Sequence, residues 1–357
     1  MVSAWKIVVL CAIYLEFSPL RRTVKYDIIR TMSTKQTSMS RDSLGDRMKS
    51  YEELSTSRRL MPNCPIYARI DGRAFHTFCR GLHKPYSTAF IMAMEETCKY
   101  LVKETTASLG YVQSDEISLG WTDAQHCPFD GRIQKLESVL ASMASAYFVW
   151  HVTVSTPRFR DPIQEPDESS EEFRKRFDEW LEFDCDNLHM RERMDHNPPS
   201  FDCRVFNVPN LDELANAFLW RENDAIKNSI TGMALNFYSH NELQNRNSDE
   251  KVHMMRMKGY CFYEDTEEAF LRGTFWQREN YQKELADAEI QSIPEDQRNT
   301  LMPRLSDGKC CMCWRSRISK LDLPYRLTDI ENKVDALFAK QFPILNKVNP
   351  TFALNGK

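Results

Sequence analysis

The stretch Ile66-Tyr67-Ala68-Arg69-Ile70-Asp71-Gly72 decides the architecture. Its first five residues alternate as a strand does, and Asp-Gly supplies the turn that stops it. Working outward, Pro85 precedes a stretch in which Phe90, Ile91, Met94, Cys98, Leu101 and Val102 fall on one helical face. Tyr111-Val112-Gln113-Ser114-Asp115-Glu116-Ile117-Ser118-Leu119 reads as two short strands with the acidic pair at the bend. Ile133, Leu136, Val139, Leu140, Met143 and Tyr147 give a second helical period, and a further strand is predicted from Arg204 to Val208. The order β-α-β-β-α-β predicts an α+β fold built on a ferredoxin-like, palm-type sheet.

Asn210 and Glu213 form a capping-box pattern that opens a helix predicted to run through Trp220. Residues 156–200 are rich in Asp, Glu and Pro and read as an inserted arm. Within it Ser169 and Glu172 cap a helix whose stripe Phe173, Phe177, Trp180 and Leu181 is expected to pack on its own domain. Beyond about residue 265 the chain is charged, with a loop expected from Ser306 to Cys313. The expected organisation is a basic leader (1–41), a palm-type domain (42–262) interrupted by the insertion 156–200, and a mostly helical C-terminal region (263–357).

With 357 residues, 42% hydrophobic and 27% charged, the chain has a globular composition, which excludes fibrous, collagen-like and wholly disordered classes. Eleven scattered cysteines suit a reducing compartment better than a disulfide scaffold. The net charge of −4 averages unlike parts. Residues 161–195 hold 13 acidic and 5 basic side chains, and residues 1–41 hold seven basic and two acidic ones. Any contact with phosphate must therefore be local. The apolar run Ile7 to Phe17 is too short to span a bilayer, so no stable membrane association is expected. The leader suits a mitochondrial presequence or an upstream extension preceding Met32, Met39 or Met48, and the expected location is mitochondrial or cytoplasmic.

Chemistry concentrates at two acidic points. Asp71 ends a strand beside Gly72, where backbone can approach a ligand closely, and Asp115-Glu116 sits at a bend that a palm-type sheet brings alongside. Two carboxylates there are the hard oxygen ligands that Mg²⁺ accepts while it keeps substrate phosphates. Two such ions, about 3.5–4 Å apart, clamp attacking and leaving oxygens in phosphoryl transfer. The bland alternative is a plain turn and a solvated bend. Lys84, before the first helix, and Arg132 and Lys135, three apart at the start of the second, are candidate triphosphate contacts; each is otherwise an ordinary surface cation. P-loop, Rossmann and G-x-S-x-G patterns are absent. Cys310-x-x-Cys313 lacks a second ligand pair for zinc, and His240 beside Glu242 lacks a nucleophile.

Arg69-Ile70-Asp71-Gly72-Arg73-Ala74-Phe75-His76, Lys84-Pro85 and Gln113-Ser114-Asp115-Glu116-Ile117-Ser118, in this order and spacing, resemble the tRNA(His) guanylyltransferase family of 3′→5′ nucleotide-adding enzymes. Arg132-x-x-Lys135, Ala144-Ser145-Ala146-Tyr147 and Phe201-Asp202-Cys203-Arg204-Val205 extend the resemblance, which covers about residues 44–155 and 200–262. It implies a polymerase palm. It implies that Asp71, Asp115 and the Gly72 carbonyl hold two Mg²⁺ ions, with Glu116 as a supporting carboxylate. It implies that Lys84, Ser114, Arg132 and Lys135 contact nucleoside triphosphate, that GTP and ATP are substrates, that tRNA is the partner, and that the protein is a homo-tetramer.

Where family members that add a guanosine to tRNA(His) have His-Ile-Asn-Asn-Leu-Tyr-Asn-Thr, this chain reads Ala225-Ile226-Lys227-Asn228-Ser229-Ile230-Thr231-Gly232. Together with Tyr238-Ser239-His240-Asn241-Glu242-Leu243, this is more similar to the bacterial-type branch associated with repair of tRNA 5′ ends. Asn228, Ser229, His240 and Asn241 become candidates for holding nucleotide or tRNA. The competing expectations are a non-catalytic RNA-binding protein that retains the palm and, ranked lower, a palm-type nucleotide cyclase.

Overall fold

A computed structural model of the chain describes residues 43–123, 127–155, 168–284 and 312–339. The basic leader, the first part of the insertion and most of the expected loop from Ser306 to Cys313 lie outside these residues. Two compact units are distinguished, residues 1–57 and residues 58–357. The first contributes helix α1 (Ser43–Thr56), which buries none of its side chains. Everything below concerns the second. Among the described residues no helix is long and apolar enough to cross a membrane.

Six strands form one sheet: β1 (Ile66–Gly72), β2 (Leu109–Gln113), β3 (Glu116–Trp121), β4 (Phe201–Asn207), β5 (Thr274–Glu284) and β6 (Met312–Lys320). Their spatial order is β4-β1-β3-β2-β5-β6, and every neighbouring pair is antiparallel. Between β1 and β2 runs α2 (Thr88–Glu104), capped by the Ser87 hydroxyl, which accepts from the Phe90 N–H. After β3 comes α3 (Ile133–Ser155), then the arm helix α4 (Ser170–His196), β4 and α5 (Leu211–Ala234).

The two faces of β1 divide the core. Ile66, Ala68 and Ile70 pack with Met94 and Leu101 of α2 and with Leu136, Leu140 and Phe148 of α3. Tyr67 packs the opposite way, with Leu214 and Phe218 of α5 and with Phe275, Leu327 and Phe338. A strand covered on both sides does not show the clean alternation of a half-exposed one. Gly120 lets α5 close on the sheet, since a Cβ there would stand 2.9 Å from the Phe218 ring.

Four sequence expectations are corrected. The fourth strand starts at Phe201, three residues before Arg204, because Phe201 buries its ring among Phe75 and Phe148. Helix α5 continues 14 residues past Trp220, to Ala234; its period is interrupted by Arg221 and Glu222, which are polar yet buried because each has an internal partner. The region from 263 onward is not mostly helical among the described residues, since β5 and β6 add a long hairpin to the sheet. In the arm, Ser169 and Glu172 form the expected capping box, but Phe177 and Leu181 are exposed. The buried face lies further along, at Asp186, Asn187, Met190 and Met194.

Candidate active site

The acidic residues gather at the end of the sheet where β1 stops and β2 turns into β3. In register, Asp71 lies opposite Glu116 on β3 and opposite Asp202 on β4, and residues directly opposite share a face. Ser114 and Asp115 form the two-residue turn, with Ser114 in the left-handed region at φ 47°. The turn is tied to β1 by the Gly72 N–H, which donates to the Asp115 carbonyl at 3.0 Å. Gly72 is required for another reason as well: an added Cβ would lie 2.5 Å from the Phe75 ring. That ring is wedged among Phe78, Phe90, Phe148 and Phe201.

Asp115 is half-buried, and its carboxyl is pushed up by burial first and by the charge of Asp71 second; its backbone and Ser114 hydrogen bonds oppose this. Among the described residues neither Asp71 nor Asp115 takes part in an ion pair. Glu116 differs. It is the first residue of β3 rather than part of the bend, and its Oε1 accepts from Arg221 Nε at 2.5 Å, with Arg69 Nε 3.8 Å from Oε2. Burial raises this carboxyl, and Arg221 opposes the rise. Arg221 also reaches Asp224 at 3.0 Å, and Asp224 accepts from Asn228 at 3.3 Å. The sequence alone assigns neither Arg221 nor Asp202 to the site, although Asp202 stands in a quoted motif; the first is 105 residues from its partner, and strand register places the second opposite Asp71.

A cavity of about 200 Å³ opens beside the turn, and Lys84, Ser114, Asn228 and Ser229 contribute to its wall. Burial pushes the Cys79 thiol in this wall up to about 12; the charges of Asp115 and Asp186 add to the rise, and Lys84 opposes it. Ser229 serves the fold, donating from its buried hydroxyl to the Leu271 carbonyl at 2.7 Å. Asn228 is exposed at the cavity rim. Ala225, which stands where the quoted family motif has His, is buried and contributes to the cavity wall, and the next residue, Ile226, packs with Ile230, Met233 and Phe262. His240 opens a short helix as an exposed residue and does not line this cavity.

Arg132 and Lys135 are not brought to this end. Strand β3 runs away from the acidic turn, and its last residue, Trp121, pairs with Ile66 at the far end of β1. Helix α3 starts there: Leu60 N–H donates to the Gly131 carbonyl, and Arg132 bridges to Arg59. Only its later part returns to the acidic end, where the Ser145 hydroxyl accepts from Phe201 N–H at 3.2 Å. Lys135 is exposed and lies over the Phe129 ring, 5.0 Å from its centroid.

Among the described residues no group of three or more His, Cys, Asp and Glu side chains is arranged as a complete metal cage. Two adjacent, unpaired carboxylates fit the other mode, in which Mg²⁺ takes one or two protein oxygens and completes its shell with water and phosphates.

A family model described as tRNAHis guanylyltransferase matches residues 45–209. The tRNA(His) guanylyltransferase of Schizosaccharomyces pombe is 26% identical over 251 residues, covering 66% of this chain and 81% of that protein. A bacterial tRNA(His) guanylyltransferase (Thg1)-like protein solved in complex with ATP is 32% identical, with 66% of this chain and 88% of that one covered and a TM-score of 0.50. A bacterial Thg1-like protein in complex with GTP is 27% identical over 83% of this chain and 100% of its own, with a TM-score of 0.52.

Proposed function

We propose that this chain, which belongs to the tRNAHis guanylyltransferase family and is a nucleotidyltransferase, adds nucleotides in the 3′→5′ direction to the 5′ end of a tRNA. The observation that carries the reading is the coupling of Asp71 to Asp115 through the Gly72–Asp115 hydrogen bond, beside a cavity that presents Lys84 and Ser114. The strand order β4-β1-β3-β2, with α2 and α3 on one face, supports the ferredoxin-like palm.

In this reading Asp71, Asp115 and the Gly72 carbonyl hold Mg²⁺, which supplies charge neutralisation at the reacting phosphates. Lys84 meets the triphosphate as a point charge, and the Ser114 hydroxyl donates to it. Asn228 orients nucleotide or tRNA at the rim. Glu116 is a positioning residue, because its carboxylate is committed to Arg221. The tRNA 5′-phosphate is first activated by attack on the α-phosphate of ATP or GTP, which breaks the α–β bond and releases pyrophosphate. The 3′-hydroxyl of the incoming GTP then attacks it and displaces the activating group.

Arg132 and Lys135 lie at the opposite end of the sheet from the acidic pair. The tetramer implied by the family resemblance reconciles this position with triphosphate binding, because one copy's Arg132 and Lys135 then serve a neighbour's site. Ala225, in place of the His of the quoted motif, favours repair of shortened 5′ ends over obligatory addition to tRNA(His).

The test incubates the protein with 5′-labelled full-length and 5′-truncated tRNA(His), ATP, GTP and Mg²⁺. Extension of the truncated substrate is expected. A folded protein that binds tRNA but extends neither substrate would leave the non-catalytic reading in its place. GTP consumption without RNA would indicate a cyclase.

A further inference from the structure

Helix α4 walls a second cavity of about 660 Å³, which shares His83, Pro85 and Tyr86 with the smaller cavity around Lys84. The arm is anchored there by polar contacts. Asp186 Oδ1 accepts from the His83 N–H at 2.9 Å, His83 Nε2 stands 3.5 Å from Glu182, and His189 donates to the Arg80 carbonyl at 2.9 Å. The chamber is therefore a feature of the folded insertion and not a gap beneath a loose helix.

We propose that this chamber takes the nucleoside part, base and ribose, of a nucleoside triphosphate whose phosphates lie against Lys84. The inference rests on the reading of the Lys84 cavity as a triphosphate site. Size is the first argument: the smaller cavity falls below the roughly 300–1,000 Å³ typical of ligand pockets, whereas the arm chamber falls inside it. Charge is the second. Glu179, Glu182, Asp186 and Glu267 contribute to the wall against a single arginine, Arg176, whose guanidinium is already paired with Glu168. Such a lining repels phosphate and accepts hydrogen bonds from the N–H groups of a base and the hydroxyls of a ribose.

The third argument is shape and donor chemistry. Trp180 and Tyr86 both line the chamber, and Tyr86 is held in place by stacking on Phe270 with ring centroids 4.8 Å apart. The Trp180 indole N–H is buried without a hydrogen-bond partner. A buried donor with no acceptor is costly, and a carbonyl or ring nitrogen of a base stacked nearby would satisfy it. An aromatic wall with acidic neighbours suits a nucleoside, as the lysine side suits its phosphates.

Isothermal calorimetry on the full chain tests this with Mg·GTP, Mg·tripolyphosphate and 5′-monophosphorylated tRNA as separate probes. Replacing Trp180 by alanine is expected to weaken GTP binding about tenfold, the loss typical of removing one base-stacking aromatic. Tripolyphosphate and tRNA binding are expected to stay unchanged, and Trp180→Phe is expected to restore most of the GTP affinity. Glu182→Gln should weaken GTP and leave tripolyphosphate alone. Unchanged GTP binding in Trp180→Ala, an equal loss for tripolyphosphate, or a loss confined to tRNA would each overturn the proposal. Selective loss of GTP binding in a protein that extends no tRNA would uphold the chamber and refute the nucleotidyl-addition reading, so the two fail separately.

Discussion

The Gly72 N–H donates to the Asp115 carbonyl at 3.0 Å, joining the end of β1 to the β2–β3 turn. Two motifs more than 40 residues apart in sequence are thereby tied together.

Gly72→Ala is expected to damage the site and the core together. The new methyl would meet the Phe75 ring at 2.5 Å, and four neighbouring rings leave Phe75 no room to withdraw. Overpacking of this kind costs roughly 1–3 kcal/mol. Urea denaturation should show the loss, and 5′-extension should fall further than the folded fraction does.

The carboxylates should separate activity from stability. Asp115→Asn removes a half-buried charge that has no ion-pair partner and is repelled by Asp71, so extension should vanish while the metal-free protein is as stable as wild type or more so. Glu116→Ala strips Arg221 of its buried partner, a change that typically costs about 3–5 kcal/mol. Equal stability losses in the two variants would refute the division of roles.

Mixing tests the service of one copy's site by another. Asp71→Asn and Arg132→Ala proteins, each inactive alone, should regain part of the extension activity when they are unfolded together and refolded as mixed oligomers. Persisting inactivity of mixed oligomers would rule the arrangement out.

Thiol reactivity should follow burial. The nucleophile in alkylation is the thiolate, and burial holds Cys79 at about 12 and Cys127 at about 11. Iodoacetamide at pH 8 should label the exposed Cys185 in the native protein and spare Cys79 and Cys127. In denaturant all three should react, and mass spectrometry of the peptides reads the difference.

Patterns within a few residues of each other were legible in the chain. Ser169 and Asn210 do cap helices, and the turn at Ser114-Asp115 does join two strands, because caps and hairpins are set by local backbone groups. The hairpin of β5 and β6 was not legible. Arg278, Glu279, Lys283, Arg315 and Arg317 give it a polar composition without an apolar period, and its pairing of Trp276 with Lys320 spans 44 residues.

The sequence by itself singled out the candidate site residues: Asp71, Asp115, Lys84 and Ser114 stand in its motifs. Tertiary structure alone decided which of them meet. Strand direction carries Arg132 and Lys135 to the far end of the sheet, a buried arginine 105 residues away claims Glu116, and the arm brings Trp180 to the wall of a cavity that Tyr86 also lines. These relations depend on how strands pair and helices pack across long separations, which no local period encodes.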